Sequence, residues 1–372
     1  MRRLHQFVPT LDPGAVGTHL LIAQQALRDA GWESEVFAEH TRPPYEQAAH
    51  SFLEYGKSVP AHDDDVLVYH AAIGSSVADW LMSRRADRLV VDYHNVTPPD
   101  WFEGWEPDLC HGLAWGRAQL AKLGRACRLG LADSAFNASE LHTFGFRRTE
   151  VLPILVDPGA LASDVDQQAR ADLEAIKAGG GAQWLFVGRL APNKCQHDLV
   201  KALAVYRRAY DPLARLWLVG GNSSDDYAAA VARFASDVGL ADAVTLTGPV
   251  TPGRLAAHYR TADAFVCVSE HEGFCVPLLE SWHHHLPIVA YTAAAVPETL
   301  GGGGLLLTDK TPTTVAAAVH RVVGDLGVRQ ALVAAGHERL ERFSLARTQQ
   351  RLLELASGLA EGLADRPRVG RR

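Results

Sequence analysis

Cysteine is scarce in this chain: five residues in 372, at positions 110, 127, 195, 267 and 275. An odd number with no Cys-x-x-Cys spacing excludes a disulfide framework and argues against zinc, so free thiols in a reducing cytoplasm are expected. Long apolar runs are lacking too. No stretch of about 20 apolar residues suits a membrane-spanning helix, and the first residues hold no signal-peptide core. Weak association with a membrane surface is left open. Positive charge is not in excess: 36 basic against 43 acidic side chains leave a net charge of −7. That balance argues against nucleic acid as a partner, while allowing a local basic pocket. Neither a Walker loop nor a Gly-x-Ser-x-Gly elbow occurs.

Hydrophobic residues make up 47% of the chain, ordinary for a globular protein, and 372 residues exceed what one core holds. Short β-rich apolar segments alternate with amphipathic stretches. They fall at 4–8, 34–38, 65–69, 89–92, 129–132 and 150–152, and again at 184–187, 216–219, 244–247, 264–268, 288–290 and 304–307. Such alternation predicts parallel sheets covered by helices on both faces. The fold class expected is α/β, with two facing Rossmann-like β/α/β domains and an interdomain cleft for the ligand. The N-terminal domain spans 1–157, a turn-rich linker 158–182, and the C-terminal domain 183–344. An amphipathic helix at 345–362 has no strand after it, and the basic tail at 363–372 is expected to fray.

The most informative stretch runs from Glu270 to Glu280 and reads Glu-His-Glu-Gly-Phe-Cys-Val-Pro-Leu-Leu-Glu. A strand-like segment precedes it. A strand that ends in Glu-Gly and turns into a helix aims N–H groups and the positive end of the helix dipole at one point, which suits a phosphate. Glu272 and Glu280 stand two helical turns apart, about 12 Å along a helix axis. The pair can then hold two parts of an elongated ligand with phosphates between them. A sugar nucleotide has that shape. A surface carboxylate followed by a solvated mid-helix glutamate would give the same letters.

Residues 184–188 read Trp-Leu-Phe-Val-Gly, and Arg189 and Lys194 follow on the connecting loop. Gly188 lets the chain turn at the strand end, where sheets of this kind bind ligands. A fork-shaped guanidinium and a compact ammonium so close together make a clamp for a diphosphate, although most loop cations are simply solvated. In the first half, the segment from Asp12 to Gly17 places Gly14 in a turn before a helix, a weak motif by itself. His94 follows the strand-like Val90-Val91-Asp92-Tyr93 and either faces a ligand or is structural. Gly220 and Gly221 follow another strand and would let a flat ring approach. Asp63-Asp64-Asp65 has the Asp-x-Asp form of metal-dependent sugar transferases but precedes its strand, so a solvated loop is expected. His283, His284 and His285 fan out around a helix and do not converge on one metal. No metal and no other cofactor is expected.

Taken together, these residues resemble the retaining glycosyltransferases of family 4, which have the GT-B fold. The resemblance rests on Gly-Arg-Leu-x-Pro-x-Lys at 188–194 and on Glu-x7-Glu at 272–280. Support comes from Pro13-Gly14-Ala15-Val16, from Tyr93-His94-Asn95, and from the segments at 151–157 and 286–298, so that about residues 2–360 are covered. The resemblance implies that Arg189 and Lys194 bind the donor diphosphate and that Gly188 opens the donor loop. Glu272 would contact hydroxyls of the transferred sugar, and Glu280 the ribose. Backbone N–H groups of Gly273, Phe274, Cys275 and Val276 would meet the sugar and phosphate. His94 would sit near the reacting sugar and Gly14 near the phosphates and acceptor, while the last helix would cross back to the first domain. Ala15 and Cys275 replace common glycines, and His285 replaces the usual glycine before Leu286-Pro287; these departures bear on donor-sugar preference.

The implied reaction moves a sugar from a UDP- or GDP-sugar to a hydroxyl of a sugar or small-molecule acceptor. It retains the anomeric configuration without a metal, by a same-face route in which the leaving phosphate takes the acceptor proton. Asp100, Trp101 and Trp105 form the candidate acceptor wall, in the N-terminal half, since aromatic faces suit sugar rings. A loop with core aromatics explains them equally. The alternatives are a sugar-nucleotide epimerase, a phosphorylase on the same plan, and a non-catalytic sugar-nucleotide-binding subunit.

Overall fold

A computed structural model describes residues 2–85, 88–162 and 165–364; the tail expected to fray lies outside them from residue 365 on. The chain forms two compact units. One comprises Met1–Pro99, Leu109–Val156 and Ser344–Arg372, the other Asp100–Asp108 and Asp157–Phe343. No helix among the described residues is long and apolar enough to cross a membrane.

The first unit is built on seven strands: β1 (Leu4–Leu11), β2 (Val36–Thr41), β3 (His50–Ser51), β4 (Val66–Ala71), β5 (Leu89–Tyr93), β6 (Leu129–Ala132) and β7 (Thr149–Val151). They lie in the order β3-β2-β1-β4-β5-β6-β7, every pair parallel. All side chains of β4 and β5 are buried, the polar His70 and Asp92 among them, as strands in a sheet covered on both faces are. Helices α1 (Ala15–Asp29), α2 (Ser76–Arg85), α3 (Pro107–Ala126) and α4 (Ala135–Thr143) connect the strands.

The second unit has six parallel strands: β8 (Gln183–Val187), β9 (Arg215–Val219), β10 (Val244–Gly248), β11 (Ala264–Cys267), β12 (Ile288–Tyr291) and β13 (Leu305–Leu307). Their order is β10-β9-β8-β11-β12-β13. The helices are α5 (Pro158–Ala162), α6 (Gln167–Ala178), α7 (Gln196–Ala209), α8 (Asp225–Asp237), α9 (Pro252–Thr261), α10 (Val276–His283), α11 (Val296–Leu300), α12 (Pro312–Gly324) and α13 (Leu326–Leu340). The chain runs outward from β8 in one direction and from β11 in the other. The two central strands therefore flank the topological switch point of this sheet, where open α/β sheets bind ligands.

The last helix, α14 (Leu345–Ala364), belongs to the first unit. Its Leu352, Leu355 and Ala356 are buried against Leu4, Val68 and Leu131 of the sheet. We expect Leu355→Ala to cost about 2–4 kcal/mol by loss of buried methyl groups and the cavity left behind. Urea denaturation checks this; an unchanged midpoint would mean that α14 adds nothing to that core.

Three sequence-based expectations change. The strand β3 was not foreseen, because two exposed residues carry no pattern. Asp65 is not solvated. It is 1% exposed and accepts hydrogen bonds from Arg3 Nε at 2.7 Å and Tyr55 Oη at 2.6 Å, at the N-terminal ends of the central strands β1 and β4. Residues 100–108, expected in the N-terminal half, group with the second unit. The Trp105 ring packs edge-on against Tyr227 at 5.3 Å, and Ser224 Oγ donates to the Trp105 carbonyl at 3.0 Å.

Candidate functional site

The loops that leave β8 and β11 carry the two charged motifs, and specific bonds tie these loops together. Gly188 and Gly220, just past the ends of β8 and β9, both have positive φ, 150° and 144°. A Cβ on Gly220 would lie 2.2 Å from the Gly188 carbonyl oxygen. The two glycines thus serve backbone-to-backbone approach within the unit. Gly188 N donates to Val219 O at 2.9 Å, and Leu190 N to Gly221 O at 2.8 Å. The loop then makes one helical turn at Pro192–Lys194 before α7.

Asn193 sits in that turn, 3% exposed. Its amide donates to the His271 carbonyl at 3.1 Å, while its own carbonyl accepts from Glu270 N at 2.9 Å. This two-way clasp places Lys194 beside the second motif. Lys194 Nζ meets Glu272 Oε2 at 2.5 Å, with the two side chains only 19% and 10% exposed. Arg189 points outward instead. Its carbonyl accepts from Gln196 Nε2 at 2.9 Å, but its exposed guanidinium has no ion-pair or hydrogen-bond partner among the described residues.

The helix α10 starts at Val276, later than the spacing of the two glutamates implies, because Cys275 adopts a left-handed conformation (φ 74°) and Pro277 follows. The estimate of about 12 Å along one helix therefore does not apply: Glu272 lies on the loop before α10 and Glu280 within it. The amides of Phe274, Cys275 and Val276 donate to no acceptor among the described residues, leaving an anion-ready helix start. Gly273 shares this loop. Glu280 touches neither Lys194 nor Glu272. Tyr259 Oη, itself buried, donates to Glu280 Oε2 at 2.5 Å, and burial raises the Glu280 carboxyl above its usual range. The Cys275 thiol is held well above its usual range by its hydrogen bond to Cys267 and by burial, so it stays protonated.

Further residues of the site carried no motif. Lys310, just beyond β13, donates to Asp198 at 2.7 Å and Glu270 at 2.6 Å. Burial opposes its charge, but its hydrogen bonds to these two carboxylates win and raise its ammonium above the usual lysine range. Glu270 is thereby fixed at the head of the 270–280 segment. The one signal for Lys310 in the sequence was its place after a predicted strand. Asn193 gave none, since any residue fits the spacing.

In the first unit, Gly14 is the N-cap of α1, and a Cβ there would lie 3.0 Å from Asp12 Oδ1. The His94 side chain is 1% exposed, with Nε2 2.9 Å from His70 Nδ1 and Nδ1 3.0 Å from Asp133 Oδ1. Both ring nitrogens are used inside the unit. Of the candidate acceptor residues, Asp100 is exposed, Trp101 half-buried, and Trp105 committed to Tyr227.

Residues 181–325 match the family described as glycosyl transferases group 1. The chain is 34% identical over 245 residues to a GDP-mannose-dependent alpha-(1-6)-phosphatidylinositol monomannoside mannosyltransferase of Mycobacterium tuberculosis, covering 61% of this chain and 62% of that protein. The protein of the same name in Mycolicibacterium smegmatis is 32% identical over 313 residues, covering 81% and 78% of the two chains. A D-inositol 3-phosphate glycosyltransferase of Kineococcus radiotolerans is 31% identical, and the match spans 47% of its length. The fold is shared with sucrose-phosphate synthase of Thermosynechococcus elongatus, with TM-score 0.77, 18% identity and coverage of 97% and 100%. It is also shared with Anabaena HepE, solved with UDP-glucose, with TM-score 0.74, 17% identity and coverage of 96% and 99%.

Proposed function

The chain belongs to the group 1 glycosyl transferases, and on that basis we propose that it moves a sugar from a nucleoside-diphosphate sugar to an acceptor hydroxyl. The observation that carries this reading is the meeting of Lys194 with Glu272 beside the unpaired amides of Phe274 to Val276. A diphosphate carries the charge that such a place lacks. In the proposed reaction the glycosidic bond to the diphosphate breaks as positive charge develops on the sugar, and negative charge builds on the leaving phosphate. Lys194, Arg189 and the helix-start amides stabilise that negative charge, with no metal required at this step. Glu272 contacts hydroxyls of the sugar, and Glu280 the ribose.

We assign retention of configuration. The Cys275 thiol stays protonated and so offers no thiolate for a covalent route. The leaving phosphate oxygen takes the acceptor proton on the face that the new bond forms on. His94 is a positioning residue in this scheme, its ring nitrogens being engaged within the first unit. Gly14 is assigned a place near the phosphates and acceptor, and Asp100, Trp101 and Trp105 are the candidate acceptor wall. The mannosyltransferase relatives are named for GDP-mannose and HepE was solved with UDP-glucose, so guanosine and uridine diphosphates lead the screen.

A thermal-shift series tests this: one of the two diphosphates should raise the melting temperature while its nucleoside does not. Product analysis by NMR with the matching sugar nucleotide should then give the donor's anomeric configuration. An inverted product would remove the same-face route. Sugar conversion without an acceptor would point to an epimerase, a requirement for inorganic phosphate to a phosphorylase, and binding without any turnover to a non-catalytic subunit.

A further inference from the structure

A second constellation lies in the first unit and shares only His94 with the reaction above. His19, His70, Asp92 and His94 are buried, and one ligand atom of each lies within 4.8 Å of the others. The hydrogen bonds around them fix the protons. Leu155 N donates to His19 Nδ1 at 2.8 Å, so the His19 proton is on Nε2, which donates to Asp92 Oδ2 at 3.1 Å. Gln6 Nε2 donates to Leu20 O, which turns its carbonyl toward His70 Nε2 at 3.1 Å. His70 therefore carries its proton on Nε2 and presents the Nδ1 lone pair to His94 Nε2, which must donate. One more proton lies between His94 Nδ1 and Asp133. Counted over the group, two carboxylates are balanced by a single extra proton, which leaves a net charge of −1 in the interior. Asp92 Oδ1 is buried there without a hydrogen-bond partner.

Buried uncompensated charge is costly. A divalent cation that displaces the one proton on His94 Nε2 brings the group to neutrality. From this arrangement we infer that His70 Nδ1, His94 Nε2 and the Asp92 carboxylate bind one divalent transition-metal ion, zinc by ligand chemistry. The three atoms are 2.9, 3.6 and 3.8 Å apart. Metal bonds of ~2.0–2.1 Å at tetrahedral angles place ligand atoms about 3.3–3.4 Å from one another, between those values. Imidazole nitrogen with carboxylate suits zinc, whereas calcium and magnesium take oxygen shells.

Each ligand already has an outer partner that would orient it. Asp133 accepts from His94 Nδ1, Gln6 from His70 Nε2, and His19 donates to Asp92, the arrangement that metal-binding histidines and carboxylates need. His19 is not a ligand: its Nδ1 accepts from Leu155 N, so freeing Nε2 for a metal would require an imidazolate anion. A small, mainly apolar cavity lined by Leu4, Leu131, Leu352 and Leu355 borders His70 and Asp92. The ion would join the ends of β4 and β5, so it is a structural site.

The test uses the whole protein stripped with a chelator and dialysed, then titrated with Zn2+ or Co2+. The site predicts one equivalent per chain by elemental analysis, a tetrahedral Co2+ spectrum, and a higher melting temperature with zinc. His70→Gln and Asp92→Asn should abolish that equivalent, and Asp133→Asn should weaken binding about 10–100-fold. The exposed pair His285 Nδ1 and His337 Nε2, 2.6 Å apart, is the control, and His337→Ala should leave binding intact. No stoichiometric binding to the stripped wild type would overturn the assignment even if the buried variants fail to fold. Binding lost in His337→Ala would overturn it as well.

Discussion

Arg189→Ala lowers kcat about 10²–10³-fold while leaving the melting temperature essentially unchanged; that is the result expected if the loop after β8 clamps a diphosphate. A preorganised donor aimed at charge that develops in the transition state is worth roughly 3–4 kcal/mol. Arg189 is exposed and unpartnered, so its removal takes nothing from the folded protein. Lys194→Ala should match that loss in turnover and add a loss in stability. It strands Glu272, whose side chain is only 10% exposed, without its partner. Breaking a buried pair from one side costs about 3–5 kcal/mol, and the residual exposure of this one places it toward the low end. The double change Lys194→Met with Glu272→Gln removes both charges. It should recover most of the stability and none of the turnover. Steady-state rates with the sugar nucleotide, set beside melting curves, separate the two effects. Near-normal turnover in both single variants would discard the clamp.

Gly220→Ala should be the most damaging single methyl group in the second unit. Its φ of 144° is open essentially to glycine alone, and the added carbon would meet the Gly188 carbonyl oxygen at 2.2 Å. Backbone strain of this kind costs about 1–3 kcal/mol, and relieving the clash must push the β8 loop away from its neighbour. For a unit of this size each kcal/mol lowers the melting temperature by about 2–4 °C, so a fall of about 2–12 °C is expected. The loop that moves carries Arg189 and Lys194, so nucleoside-diphosphate affinity should fall with it. Gly221→Ala is the comparison: a Cβ there meets nothing within 4 Å and φ is not positive, so it should be nearly silent. Equal behaviour of the two variants in thermal melts would remove this account of the loop.

The fold was legible because buried parallel strands read as short, mainly apolar runs, as β4, β5, β8 and β11 do, with His70, Asp92 and Gln183 the polar exceptions. What escaped was either too short to carry a pattern or decided by distant residues. The two residues of β3 are one case. Asp65 is another: nothing adjacent announces that Arg3 and Tyr55 close around it. In the site, charged residues in fixed spacings marked Arg189, Lys194, Glu272 and Glu280. The clasp made by Asn193 and the anchoring of Glu270 by Lys310 come from separate strand ends meeting in space, and no local spacing encodes them. The delayed start of α10 depends on the left-handed turn at Cys275, a conformation the letters around it do not require. That His94 is held by His70 and Asp133, both far off in sequence, is likewise announced by no local spacing.

The central claim is that a diphosphate is held where the β8 loop meets the start of α10. A crystal structure of the protein soaked with guanosine or uridine diphosphate tests this most directly. The account predicts phosphate oxygens within hydrogen-bond reach of Lys194 Nζ and of the amides of Phe274 to Val276. Phosphates bound away from both loops, with Lys194 and Glu272 still paired only to each other, would contradict it.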